Sequence, residues 1–124
     1  MQKLLITLPD NFKTYTIDEY VGKIGYLGYF LNDIRLHSIP TFTKWALNPH
    51  EFITGTNSAW LEKKNNFILI GSLFADEPDG GAFFKISIDQ FIKLLQEWQK
   101  LVESKTKKIT IIQSDDGTMT IAGE

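Results

Sequence analysis

The sequence predicts an α+β fold, a largely antiparallel sheet with helices packed on one face, and three observations carry that prediction. A long amphipathic helical pattern spans residues 87–105. It lies between two stretches patterned as β-hairpins, at 58–75 and 108–124. Other helix signals collect in the first half, where glycine and proline cut them short.

Taken in order, "KLLITL" (3–8) reads as a strand. Thr16 and Glu19 have capping-box spacing and Tyr15 and Tyr20 the spacing of a hydrophobic staple, so a helix is expected from about Ile17. Gly22, Gly25 and Gly28 follow at intervals of three. Each costs about 1 kcal/mol against alanine inside a helix, so a break is expected near Gly25; alternatively, the glycines line one packed side and admit a neighbouring backbone. A second helix is expected over 28–37, stopping before Pro40, and a short third over 42–48, carrying Trp45 and ended by Pro49.

In the middle, "SAWLEKK" and "FILIGSLFA" flank Asn65-Asn66, a pair that tolerates the positive φ of a tight hairpin turn. "AFFKIS" is a further strand running into the long helix, with Ser87 and Gln90 at capping-box spacing and Ile86 and Phe91 as staple. Phe91, Leu94, Leu95, Trp98, Leu101 and Val102 form its apolar stripe, and Asp89, Lys93, Gln96, Lys100 and Glu103 its wet side. In the last hairpin a three-residue loop, Asp115-Asp116-Gly117, sets Ile111 opposite Ile121 with Met119 on the same face.

The 124 residues, 43% apolar and 23% charged, suit one globular domain, 1–124, without linker or repeat. The N-terminal apolar run is too short for a signal-peptide core or a bilayer span, so a cytoplasmic protein with no membrane partner is expected. Absence of cysteine fits a reducing compartment and removes disulfides, thiolate metal sites and cysteine nucleophiles together. A net charge of −2 with Arg35 as the single arginine argues against nucleic acid. The lysines at 105, 107 and 108 read as a helix C-terminus and a solvated turn.

Catalytic and cofactor signals are sparse. His37 and His50 have no second ligand at metal-binding spacing, and no phosphate loop, serine elbow or His-Glu-x-x-His motif occurs, so neither metal nor cofactor is expected. The stretch "FADEPDGGAF" (74–83) fails as a calcium loop, because counting from Asp76 puts Pro78, Gly80 and Ser87 where oxygen ligands are needed. It is either a wet turn or, through Asp76, Glu77 and Asp79, a negative surface for a basic partner. Asp33 faces solvent, caps a neighbour or meets a partner. Trp60 reads as core, whereas Trp45 suits core and binding hot spot equally.

Three stretches, "LGYFLNDI" (27–34), "TGTNSAWLEKKNNFILIGSLF" (54–74) and "ISIDQFIKLLQEW" (86–98), together resemble the small immunity proteins of contact-dependent growth inhibition and related bacterial polymorphic toxin systems. That resemblance implies a cytoplasmic, non-enzymatic protein that binds one toxin domain, often a nuclease, and occludes its active site. Gly28, Asp33, Asn57 and Trp98 would then mostly preserve the fold. The expected contact set is Asp76, Glu77 and Asp79, with Asp33 and Trp45. Two rivals stand beside it: a chaperone or adaptor whose partner docks on the sheet edge at 118–124, and a small enzyme using Asp or Glu acid/base chemistry.

Overall fold

A computed structural model describes residues 1–9, 15–74 and 82–124. The elements run β1 (Gln2–Thr7), β2 (Thr16–Val21), α1 (Gly25–Asp33), a 3₁₀ turn (Leu36–Ser38), α2 (Ile39–Leu47), β3 (Ile53–Gly55), β4 (Ala59–Lys64), β5 (Phe67–Ser72), β6 (Phe84–Ser87), α3 (Ile88–Glu103), β7 (Lys108–Gln113) and β8 (Met119–Gly123). Helices and antiparallel strands together make an α+β protein. Among the described residues no helix is long and apolar enough to cross a membrane.

Two four-stranded sheets replace the single sheet expected, in the orders β2-β1-β7-β8 and β3-β4-β5-β6. The physical reason is α3. It carries the chain away from β6, and β7 then pairs with β1, as in Leu4 opposite Ile111 and Ile6 opposite Ile109. Helices do not line one sheet: α1 touches β1 and β2 as well as β4, β5 and β6, and α3 touches β8, β5 and β6. The common core holds Leu4, Phe30, Ile70, Phe84, Phe91 and Trp98, all essentially inaccessible.

Residues 16–21 form a strand, not the start of a helix. Thr16, Ile17 and Val21 are β-branched, β1 offers a backbone ladder, and the pairing sets Ile17 against Ile6 and Tyr20 against Leu4. A capping-box spacing has no weight when the following turn is not helical. Gly22, at φ +93°, ends the strand in a conformation that L side chains rarely adopt. Gly28 sits inside α1 against the first sheet, where an added Cβ would lie 2.8 Å from Ile17 Cδ1. The break expected near Gly25 falls instead at Gly22, where a strand ends; the helix expected over 28–37 starts earlier, at Gly25, and stops at Asp33, and Gly28 admits the Ile17 side chain, not a neighbouring backbone.

Later elements follow the sequence closely, with α2 beginning three residues early because Pro40 fits its first turn. Asn65 turns the β4–β5 hairpin at φ 56°, and Gly117 turns the last hairpin at φ 91° with Ile111 opposite Ile121. Ser87 Oγ caps α3 by accepting the Gln90 N–H at 3.2 Å. Gln90 does not complete the box; its Oε1 accepts the Met119 N–H at 3.0 Å and ties α3 to β8. Buried Gln113 makes the matching link between sheets, donating Nε2 to the Lys85 carbonyl on β6 at 2.9 Å.

Tyr15 supplies a pH test of this packing. Its buried ring meets Trp98 edge-on with centroids 5.6 Å apart. Burial pushes the phenol above its ordinary value of 10.0, against a smaller opposing pull from Arg35. A raised folded-state value favours the protonated form, so its contribution to stability is complete below pH 10.0 and is lost as pH climbs through the higher folded value. Urea unfolding is expected to show a stability loss beginning above about pH 10, smaller in Tyr15→Phe. An unchanged alkaline loss in that variant would assign it to other groups.

Candidate functional site

A concavity of about 680 Å³ opens where the β2 edge, the first turns of α1 and the β4–β5 sheet meet. From β2 come Ile17, partly buried opposite Ile6, and Tyr20, exposed opposite Leu4. The glycine turn adds Lys23, α1 adds Tyr26 and Tyr29 from adjacent turns, and the second sheet adds Ser58, Ser72 and Phe74. The size suits a side-chain cluster or a small ligand.

Local geometry explains why these rings stay at the surface. Among the described residues β2 is an edge strand with nothing beyond it in the sheet order. Tyr20 lies across Gly25, where a Cβ would come within 2.9 Å of the ring, so the glycine makes room for the phenol at the helix start. Tyr26 and Tyr29, three apart on one helix face, have centroids 6.3 Å apart. Tyr20 is 61% exposed, Tyr29 42% and Phe74 77%. Around the cleft the lining is aromatic and hydroxylic with one amine, Lys23, which suits covering a partner's apolar and hydrogen-bonding groups more than moving protons.

A second cavity of about 550 Å³ lies at the seam between the sheets, lined by Phe67, Lys85, Gln90, Gln113 and the 114–118 loop. Its carboxylates are engaged, one by the N-terminus and one within the hairpin. The Met1 ammonium pairs with Asp115 at 2.5 Å, and the Thr118 N–H reaches Asp116 at 3.0 Å, holding that exposed carboxyl below its usual range. No group of three His, Cys, Asp or Glu side chains converges among the described residues.

Two of the expected contact residues are tied into the fold. Asp33, at the end of α1, accepts the Thr56 hydroxyl and the Ser58 N–H, each at 2.7 Å, and the Ser58 hydroxyl, all on Oδ2. Of the three roles open to it, it takes the cap of a neighbouring loop. Trp45 is only 5% exposed, edge-on to Phe91 with centroids 6.5 Å apart. Lys63 covers its ring at 5.0 Å and donates to the carbonyls of Trp45 and Asn48, closing the C-terminus of α2. Burial there pulls the Lys63 amine below its ordinary value, with Glu51 opposing. Trp60 is half-buried and lies over Gly71 on the facing strand, with its indole where a Cβ would project. Asp76, Glu77 and Asp79 lie outside the described residues.

Sequence reasoning missed Tyr20, Tyr26, Tyr29 and Phe74. A signal existed for the tyrosines: in "YVGKIGYLGY" each aromatic is spaced against glycines, the pattern of rings laid over bare backbone. Searches of protein-family models, curated proteins and solved structures find no match to this chain.

Proposed function

We propose that this protein is a stoichiometric inhibitor of the immunity class, which neutralises a toxin domain by covering its active site. The observation that carries the reading is the aromatic cleft of exposed Tyr20, Tyr29 and Phe74 with half-buried Tyr26. Tyrosine and phenylalanine combine large contact area with few rotatable bonds, and aromatic residues are enriched where protein partners bind. The resemblance to immunity proteins supports the same assignment. Asp76, Glu77 and Asp79 follow Phe74 within five residues in the chain, which places negative charge next in sequence to the aromatic anchor. On this proposal the rings supply buried area and the acids draw in a cationic toxin surface.

The test uses the toxin domain captured by pull-down with this chain from its native cell and then purified. Tyr29→Ala combined with Phe74→Ala is expected to weaken the complex about 100-fold or more, chiefly through faster dissociation. Thermal stability should hold, because both side chains are exposed. Lysine at 76, 77 and 79 should instead slow association, with the effect shrinking at high salt. Absence of a one-to-one complex with the wild-type chain, or failure of the chain to rescue growth of cells making the toxin, would defeat the assignment.

A further inference from the structure

We infer that the toxin segment held by the aromatic cleft is an extended strand that adds to the free edge of β2, apolar on its inner face and basic on its outer one; the inference rests on the function proposed above. Among the sheet edges, β2 is the one left open beside a cavity. At β8 the Met119 N–H is taken by Gln90, at β6 the Lys85 carbonyl is taken by Gln113, and β3 has three residues.

Backbone alternation fixes which groups β2 presents. The Leu8 N–H donates to the Lys107 carbonyl at 2.7 Å, one step beyond Thr7 opposite Lys108 in the β1–β7 register. In an antiparallel ladder successive residues turn their backbone groups to opposite sides, so Leu4 and Ile6 also face β7, whereas Lys3, Leu5 and Thr7 face β2. Their partners there are Val21, Glu19 and Thr16. Ile17 and Tyr20, opposite Ile6 and Leu4, therefore turn N–H and C=O away from β1, and Asp18 is the extra residue where the register shifts. Outside the β1 ladder neither Ile17 nor Tyr20 has a backbone partner among the described residues.

The same two residues line the cleft, so the open backbone edge and the cavity are one site. A strand added there continues the first sheet, and its alternate side chains enter the cleft against Tyr26 and Tyr29 of α1. No carboxylate lines that side among the described residues, and its rings and hydroxyls call for apolar groups. The other side of β2 is acidic. The Thr7 hydroxyl donates to Asp18, and Glu19 stands opposite Leu5, which puts both exposed acids on the face away from buried Leu4 and Ile6. Charge complementarity therefore asks for Lys or Arg on the outer face of the added strand. A second copy of this chain does not meet that demand, because two β2 strands side by side bring Asp18 and Glu19 of each together. The register shift leaves two residues to exchange backbone bonds, so the edge alone binds weakly and the cleft selects the partner.

Amide hydrogen exchange on the complex with the pulled-down toxin domain reads the pairing directly. In the free chain the Ile17 and Tyr20 amides should exchange fast while those of Glu19 and Val21, bonded to β1, exchange slowly; in the complex the first two should slow about 100-fold or more. Tyr20→Pro and Tyr20→Ala both lose the ring, but only proline also removes an N–H that points away from β1. The proline variant should bind at least about 10-fold more weakly than the alanine variant, and the exchange data on the unmodified chain decide the matter if proline prevents folding. Glu19→Lys should slow association about 10-fold at low salt and less at high salt. A one-to-one complex whose Ile17 and Tyr20 amides exchange as in the free chain, or proline and alanine variants that bind alike, overturns the strand pairing and leaves the proposed function standing. Unchanged association of Glu19→Lys overturns the basic outer face, and absence of any complex defeats the inference and the proposed function together.

Discussion

Replacing Phe30 by alanine is expected to cost about 3–5 kcal/mol. Phe30 is fully buried on α1 and joins the three helices through its ring: Phe42 of α2 meets it edge-on with centroids 5.0 Å apart, and Phe91 of α3 lies at 5.7 Å. Truncation removes the apolar area, leaves a void that two neighbouring rings cannot both fill, and forfeits aromatic contacts worth about 0.5–1.5 kcal/mol apiece. Against a typical total of about 5–15 kcal/mol, the variant would be marginal. Denaturant unfolding should show the midpoint moving sharply down, and a double-mutant cycle with Phe42→Ala should return a coupling above about 0.5 kcal/mol. A loss under about 1 kcal/mol would mean the helices do not pack through this ring. Tyr29, the preceding residue, is the contrast: its ring is exposed, and its truncation should leave stability nearly unchanged while weakening partner binding.

How much of this was legible in the sequence depended on whether the deciding interactions were local. The α3 stripe, the Ser87 cap, the Asn65 turn and the Gly117 loop were readable because each is fixed within a few residues of chain. The division into two sheets was not, since it rests on β1 pairing with β7 across most of the sequence length. β2 was misread for the same reason: Thr16 and Glu19 satisfy a local helix rule, and the competing strand is stabilised by β1, which the local pattern does not contain. At the candidate site the acids stood out as charges in an apolar stretch, while the tyrosines did not, because an exposed ring and a core ring have the same letter. Only the edge position of β2 and the bare backbone at Gly25 expose them.

Asp33→Ala is expected to destabilise the fold by about 2–4 kcal/mol, although the side chain is only half-buried. One carboxylate oxygen gathers three donors from the loop between β3 and β4, and Thr56 Oγ1 passes the restraint on by accepting the Ala59 N–H at 3.1 Å. An acid at the C-terminal end of a helix is disfavoured by the macrodipole, so these charge-assisted bonds are what hold it there. Removing the acceptor strands the Ser58 N–H and both hydroxyls, and Ser58 lines the aromatic cleft. Asp33→Asn retains one acceptor oxygen without the charge and should fall between wild type and alanine. The pair of readouts separates two roles. If Asp33 positions the cleft floor, unfolding free energy and partner affinity fall together, and both recover part way in the asparagine variant. If it were a direct contact, affinity would fall while the unfolding midpoint stayed put, and the three hydrogen bonds to Oδ2 would have no part in holding the loop.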